Sequence, residues 1–201
     1  RNGQRYLLKD IMKDIDTAPL YTVQLKGESE SAPEWYVPYK GQKLQGQALL
    51  DQIQIWQDAG IIEPSHADAL RAAHAHPEWF DLSDRTMVLF GAGSEAGPLT
   101  WLSKWKANIV AVDLPNSRVW DRILKTIQQG NATLYAPCAE KLAEDTPTAT
   151  LKEKLGADLL TQTPEIAHWL IQSERQLDLA AIAYLDGEKH VRVSMAMDSI
   201  M

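Results

Sequence analysis

The stretch LFGAGSEAGPL, residues 89–99, decides how this chain is interpreted. It continues an apolar run that starts near residue 86 and predicts a buried strand, and it places three glycines within residues 91–97. Glycine has no Cβ, so it permits tight turns and close contacts that other residues would block. A strand that reaches this stretch can therefore turn sharply into a helix, and the bend between them can hold a ligand.

The bend matches the pattern Gly-x-Gly-x-x-Ala through Gly91, Gly93 and Ala96. In that pattern the first glycine permits the turn, the second lets the backbone approach a pyrophosphate, and a third small residue lets the helix pack closely on the sheet. The start of the helix also offers unpaired amides to a phosphate. We therefore predict a cofactor-binding loop that consists of Gly91, Ala92, Gly93, Ser94, Glu95, Ala96 and Gly97.

An acidic residue completes the pattern at the end of the next predicted strand, residues 107–114. Asp113 lies 22 residues after Gly91, where a carboxylate can accept hydrogen bonds from both ribose hydroxyls of an adenosine. We expect Asp113 and the following Leu114 to belong to the site. A 2′-phosphate would be repelled by Asp113, which favours NAD(H) over NADP(H), although the nearby Arg118 weakens that preference.

Residues 83–201 alternate between predicted strands and helices, which indicates an α/β domain with a doubly wound parallel sheet. The predicted strands are residues 85–90, 107–114, 132–137, 155–163 and 177–185. The predicted helices are residues 97–106, 116–129 and 164–174, with a further helix that begins near Arg192.

Residues 1–82 are predicted to form a mainly helical N-terminal extension. Helical periodicity is present at residues 5–16 and 44–59, and one short strand is predicted at residues 20–25. The chain starts with arginine and its last residues lie in a predicted helix, so we expect it to be part of a longer protein and truncated at its C-terminus.

The charge of the chain excludes some classes of partner. Its net charge is −7 and its 20 lysines and arginines form no cluster, which argues against nucleic acid and anionic membranes as partners. No apolar run approaches the roughly 20 residues that span a bilayer. The single cysteine, Cys138, excludes a disulfide framework, and we expect a cytoplasmic protein.

The segment VLFGAGSEAGPLTWLSKWKANIVAVDL, residues 88–114, resembles the opening strand-helix-strand unit of the short-chain dehydrogenase/reductase family. The resemblance extends over about residues 85–170 and implies a Rossmann-like fold. It also implies that Gly91 and Gly97 are nucleotide-loop glycines and that Asp113 is the ribose-binding acid.

The sequence departs from that family at three points. Glu95 stands where the family usually has its middle glycine, and Phe90 stands where threonine is common. The catalytic Tyr-x-x-x-Lys of the family has no match after residue 170, so no catalytic residue is assigned. The resemblance implies an NAD(P)-dependent oxidoreductase that transfers hydride to or from a small-molecule substrate.

Two alternatives remain open. An S-adenosylmethionine-dependent methyltransferase would use the same bend and Asp113, although Leu89 and Glu95 stand where those enzymes usually have an acid and a glycine. A Rossmann module without catalysis is the second alternative. The sequence does not decide whether the chain forms a homo-oligomer or is joined to further domains, and we predict no metal site.

Polar residues also gather after the last predicted strand, where a dehydrogenase could place a proton carrier. They are His190, Arg192, Ser194 and Asp198. An exposed turn that leads into a helix explains the same residues without any chemistry. Cys138 follows the third predicted strand, and without a neighbouring base it is expected to be a buried thiol.

Overall fold

The computed structural model describes residues 4–13, 18–31 and 34–201. The strands are β1 (Tyr21–Lys26), β2 (Val37–Tyr39), β3 (Gln42–Leu44), β4 (Thr86–Phe90), β5 (Asn108–Val112), β6 (Thr133–Cys138) and β7 (Asp178–Ala181). The helices are α1 (Leu8–Ile11), α2 (Gly46–Asp58), α3 (Pro64–Ala75), α4 (Leu99–Leu102), α5 (Ser117–Gln128), α6 (Thr148–Lys154), α7 (Thr163–Ile171) and α8 (Glu188–Ile200).

Five strands form one sheet in the order β1-β6-β5-β4-β7. Strands β6, β5, β4 and β7 are parallel to one another, whereas β1 pairs antiparallel with β6 at the edge. Strands β2 and β3 form a separate hairpin. The predicted α/β class is therefore confirmed, and the mostly parallel sheet is compatible with a Rossmann-like fold.

Helices cover both faces of the sheet because its strands are apolar on both sides. All five residues of β5 are buried. One face packs against α4, α5 and α6, and the other packs against α7 and α8. Helix α5 shows why the sequence folds this way, since its buried residues lie on one helical face: Trp120, Ile123, Leu124 and Ile127.

Strand β1 corrects the prediction of a mainly helical extension before residue 83. All six of its residues pair with β6, from Tyr21 opposite Cys138 to Lys26 opposite Thr133. Val23 and Leu25 pack against the apolar cluster beneath α5. The short strand predicted near this position is thus present, but it belongs to the central sheet rather than to a separate helical unit.

Apolar side chains of residues 35–70 form a small cluster of their own around α2 and α3. Aromatic side chains connect this cluster to the sheet domain. The ring of Phe80 lies 5.3 Å from that of Trp35 and 4.9 Å from that of Trp105, which follows α4. Contacts of this kind contribute about 0.5–1.5 kcal/mol each beyond the area they bury, so they hold the two parts together.

The predicted strand at residues 155–163 is wrong. Only Leu155 makes a bridge, to Cys138, and the chain then turns. Gly156 has a φ of +122°, far from the φ of about −120° of a regular parallel strand. Asp158 accepts hydrogen bonds from the N–H of Leu160 (2.9 Å) and the hydroxyl of Thr161 (3.0 Å), which stabilises a turn.

Several predicted helices have different bounds in the structure. Helix α8 begins at Glu188, four residues before the predicted start. Helix α4 is a single turn of four residues rather than the predicted ten. Helix α1 is shorter than the predicted residues 5–16, of which residues 14–16 lie outside the described part of the chain. None of the helices described here combines the length and the apolar character that a membrane span requires.

An ion pair between the segment before the sheet and the sheet itself gives a testable prediction. Asp81 accepts a hydrogen bond from Lys106 Nζ (2.6 Å) and another from the Ser83 N–H (3.1 Å). These bonds, with that of Lys106 the larger cause, hold the pKa of Asp81 at about 2, below its ordinary 3.8. A depressed carboxyl pKa stabilises the fold above the ordinary value, and the contribution is lost as the pH falls from about 4 to about 2.

We expect Lys106→Gln to raise the pKa of Asp81 towards its ordinary value. Carboxyl ¹³C shifts measured against pH will show this directly. Lys104→Gln is the matched control, because Lys104 lies over the ring of Trp101 and makes no ion pair with Asp81. An Asp81 pKa that stays near 2 in Lys106→Gln would contradict the assigned cause.

Candidate functional site

The candidate site lies where the direction of the strand order reverses. The chain runs from β4 to β5 and β6 on one side, and then returns to place β7 on the other side of β4. Open parallel sheets bind ligands at the carboxyl ends of the strands that flank such a reversal. A cavity of about 460 Å³ occupies this position, within the usual range for small-molecule sites.

Gly91 follows β4 and closely approaches the segment after β7, the strand on the other side of the cavity. Its φ is +84°, and an added Cβ would lie 2.6 Å from the Cα of Ala183, the second residue after β7. The N–H of Ile182 donates to the carbonyl of Phe90 across the same gap (3.1 Å). Only glycine satisfies both the positive φ and the close approach, so the first glycine of the motif has the turning role predicted for it.

Asp113 lines the cavity and is oriented by two backbone amides. Gly93 N–H donates to Oδ2 (2.7 Å) and Leu114 N–H donates to Oδ1 (2.8 Å). A carboxylate offers about four acceptor positions, so each oxygen can still accept another hydrogen bond. The carboxylate is therefore fixed in place and able to accept two hydroxyl donors from the cavity.

Arg122 holds the glycine bend from the opposite side. Its Nη2 donates to the carbonyl of Gly93, and its Nη1 lies 4.0 Å from Oε1 of Glu95. Both backbone groups of Gly93 are thus engaged, one by Asp113 and the other by Arg122. Sequence reasoning missed Arg122, because only the packing of α5 against the bend brings it there.

Several loop amides already have acceptors within the protein. Besides the Gly93 amide, Ser94 N–H donates to the carbonyl of Gly91 (2.9 Å) and Gly97 N–H donates to the carbonyl of Ser94 (3.1 Å). Helix α4 is too short to present a strong positive end, since the helix dipole sums over aligned peptide units. The side chain of Glu95 is 95% exposed and adds negative charge beside the bend.

The predicted site residues divide into two groups. Five line the cavity: Gly91, Gly93, Ser94, Asp113 and Leu114. The other four do not. Ala92 is buried in the core, Glu95 and Ala96 are exposed to solvent, and Gly97 packs against Ile182. The close packing predicted for the third small residue is therefore found at Gly97 rather than at Ala96, against the residue that follows β7.

Three cavity walls were missed by the sequence analysis. Residues 157–160 form one wall, the segment 183–185 after β7 forms another, and Lys189 with Val193 of α8 forms the third. Residues 157–160 were missed because residues 155–163 were predicted to form a strand. The other two follow the last parallel strand, and the general rule for open sheets could have located them. Lys189 is the single cationic side chain among the residues described as lining this cavity.

The polar residues after the last strand do not form one group. Tyr184 lies at the cavity, and the ring of His190 lies 5.0 Å from its ring. Nδ1 of His190 is buried and has no hydrogen bond in the described structure. Arg192 instead lines a different cavity beside α1 and α7. Ser194 and Asp198 do not line the candidate site.

Cys138 is buried and its Sγ donates to the carbonyl of Lys154 (3.4 Å), which fits a structural thiol at the end of β6. In the described part of the chain, no three His, Cys, Asp or Glu side chains gather closely enough to hold a metal ion.

Comparisons extend this description no further. Searches against protein-family models, curated proteins and solved structures find no significant match to the chain. The assignment of the site therefore depends on its own geometry, in which a fixed carboxylate and a glycine bend share one cavity at the reversal of the strand order.

Proposed function

We propose that this cleft binds NAD(H) and that the protein is an oxidoreductase acting on a small molecule. One observation carries the proposal. A single cavity connects Asp113 at the end of β5, the glycine bend after β4 and residues 183–185 after β7. That is the path of a dinucleotide laid across a strand-order reversal, with one nucleoside on each side.

The cavity walls suit the two halves of such a ligand differently. Asp113 accepts the ribose hydroxyls of the adenosine, whose base packs against apolar side chains such as Leu114 and Leu159. The other half extends towards Tyr184 and Lys189. Gly93 keeps the space between the halves open, because a Cβ there would lie 2.7 Å from Cγ1 of Val119.

The cofactor supplies hydride chemistry when it is bound, and the chain supplies orientation and a proton. Tyr184 is the proposed proton donor, since it lines the cavity together with Lys189. Its O–H donates to Oδ1 of Asp186 (3.4 Å), a long bond that a substrate oxygen can replace. This pair differs from the Tyr-x-x-x-Lys pattern of the short-chain dehydrogenase/reductase family, because Tyr184 and Lys189 are five residues apart rather than four.

One feature favours S-adenosylmethionine as a second candidate. The amides of Gly93, Ser94 and Gly97 already have acceptors, and Glu95 places a carboxylate beside them. A diphosphate needs free donors and positive charge, whereas the cationic arm of S-adenosylmethionine needs neither. Asp113 holds the ribose in both cases.

Titration of the purified chain with NADH, NADPH and S-adenosylmethionine tests the proposal. We expect NADH to raise the unfolding free energy by about 2.7 kcal/mol at 100 times its dissociation constant, and NADPH to do so only at higher concentrations. Stabilisation by S-adenosylmethionine alone would replace the first candidate with the second. Stabilisation by NADH without turnover of any carbonyl or alcohol tested would favour a binding module.

A further inference from the structure

A second cavity, of about 520 Å³, lies at the other end of the sheet. It lies on the face of the sheet that α7 and α8 cover, beside the C-terminal end of α7. Its floor is built from side chains of successive strands, Thr86, Val110, Tyr135 and Thr22, and Trp169 with residues 172–177 forms its wall.

The floor contains a buried hydroxyl that the fold does not use. Thr86 is only 3% exposed, and its side chain makes no hydrogen bond with any described residue. It shares the sheet face of Val88 and Phe90, which pack under α7 and α8, so its hydroxyl is directed to the cavity side. The hydroxyl is therefore a donor and acceptor that a ligand in the cavity can hydrogen-bond.

The mouth of the cavity contains a cation held by an aromatic ring. The guanidinium of Arg175 lies over the ring of Tyr135, 5.5 Å from its centroid. Arg175 forms no ion pair in the described structure, although the N–H of the residue donates to the hydroxyl of Ser173 (3.2 Å). Stacking restricts the guanidinium while its donors stay free to bind a planar anion.

Aromatic and apolar side chains form most of the remaining wall. Trp169 is 8% exposed, and its Nε1 donates to the hydroxyl of Thr22 (2.9 Å), which fixes the plane of the indole ring. Leu20 and Leu177 close the wall around it. A rigid indole opposite a tyrosine suits a flat ring better than a flexible aliphatic chain.

We propose that this cavity is a second ligand site, specific for an aromatic carboxylate. The ring lies between Trp169 and Tyr135, the carboxylate meets Arg175 at the mouth, and a polar ring substituent reaches Thr86 at the floor. Glu174 and Arg175 are both exposed at the mouth, but Arg175 is the one held at the cavity by a described contact, its stacking on Tyr135, and it therefore favours an anion. The inference is independent of the proposed cofactor, since Thr86 begins β4 and the glycine bend follows its other end.

The test uses 4-hydroxybenzoate, which has the ring, the carboxylate and a polar group opposite it, together with the neutral 4-hydroxybenzamide. Calorimetry gives the affinity, and the indole N–H resonance of Trp169, assigned with Trp169→Phe, locates the site. We expect the carboxylate to bind and shift that resonance, and the amide to bind at least about tenfold more weakly.

Two variants assign the contacts. Arg175→Gln is expected to weaken 4-hydroxybenzoate about tenfold and to leave 4-hydroxybenzamide unchanged. Arg118→Gln, at an exposed arginine of α5 away from this cavity, is the matched control and should change neither. Thr86→Val is expected to weaken both compounds severalfold, because it removes the hydroxyl that their polar substituent would meet.

Three results would overturn the proposal. The first is no shift of the Trp169 resonance at concentrations up to about 10 mM. The second is equal affinity for the acid and the amide, and the third is an equal loss in Arg175→Gln and Arg118→Gln. Thermal unfolding of each variant shows whether it is folded before binding is measured.

Discussion

Asp113→Ala is expected to weaken NADH binding by at least about 100-fold. A hydrogen bond to a charged group contributes about 1.5–3 kcal/mol, and two ribose hydroxyls would lose this acceptor. The substitution also leaves the amides of Gly93 and Leu114 without the carboxylate that accepts from them. We therefore expect stability to fall by about 1–3 kcal/mol, measured by urea unfolding, together with the loss of affinity measured by calorimetry.

Two comparisons separate the effect on binding from the effect on folding. Asp68→Asn changes an exposed carboxylate on α3 that pairs with Arg71 and lies outside the cavity, so NADH affinity should stay unchanged. Binding is measured only under conditions in which urea unfolding shows Asp113→Ala to be folded. An affinity for NADH equal to that of the unchanged protein would remove Asp113 from the site and defeat the proposed function.

Gly91→Ala is expected to destabilise the protein by about 3–5 kcal/mol, the range of the most severe single substitutions. A residue with a Cβ at a φ of +84° is strained by about 1–2 kcal/mol. The added methyl would also lie 2.6 Å from the Cα of Ala183, and backbone cannot move aside as a flexible side chain can. The strands β4 and β7 would have to separate at the candidate site.

Gly41→Ala is the matched control for that prediction. Gly41, in the turn between β2 and β3, has a similar φ of +76°, yet an added Cβ would meet no atom within 4 Å. It should therefore show the conformational cost alone, about 1 kcal/mol. If urea unfolding gives the same loss for Gly91→Ala and Gly41→Ala, the close approach to Ala183 contributes nothing to the requirement for glycine.

Local chemistry explains what could be predicted at the candidate site. The apolar run at residues 86–90, the glycines that follow it and Asp113 after the next run define a strand, a bend and a second strand. The strands are predictable because an apolar run tends to be buried. The bend is predictable because glycine has the backbone freedom that a tight turn requires. The structure places five of the nine named residues at one cavity: Gly91, Gly93, Ser94, Asp113 and Leu114.

Residues 155–163 show why a local pattern can mislead. Leu155, Ala157 and Leu159 are buried, so their composition predicts a strand. Leu155 is buried in the cluster beneath α5, and Ala157 and Leu159 are buried under α7 and α8, while Gly156 and Asp158 turn the backbone. Apolar composition reports burial, but it does not report which hydrogen bonds the backbone makes.

The sequence by itself determined the parallel sheet, the place of the bend and the acid beside it, because periodicity and glycine chemistry act over a few residues. The tertiary structure alone decided the rest. It placed β1 at the sheet edge, set Arg122 against Gly93 and gave several loop amides acceptors within the protein. These contacts join residues far apart in the chain, whose pairing depends on the packing of whole helices and strands.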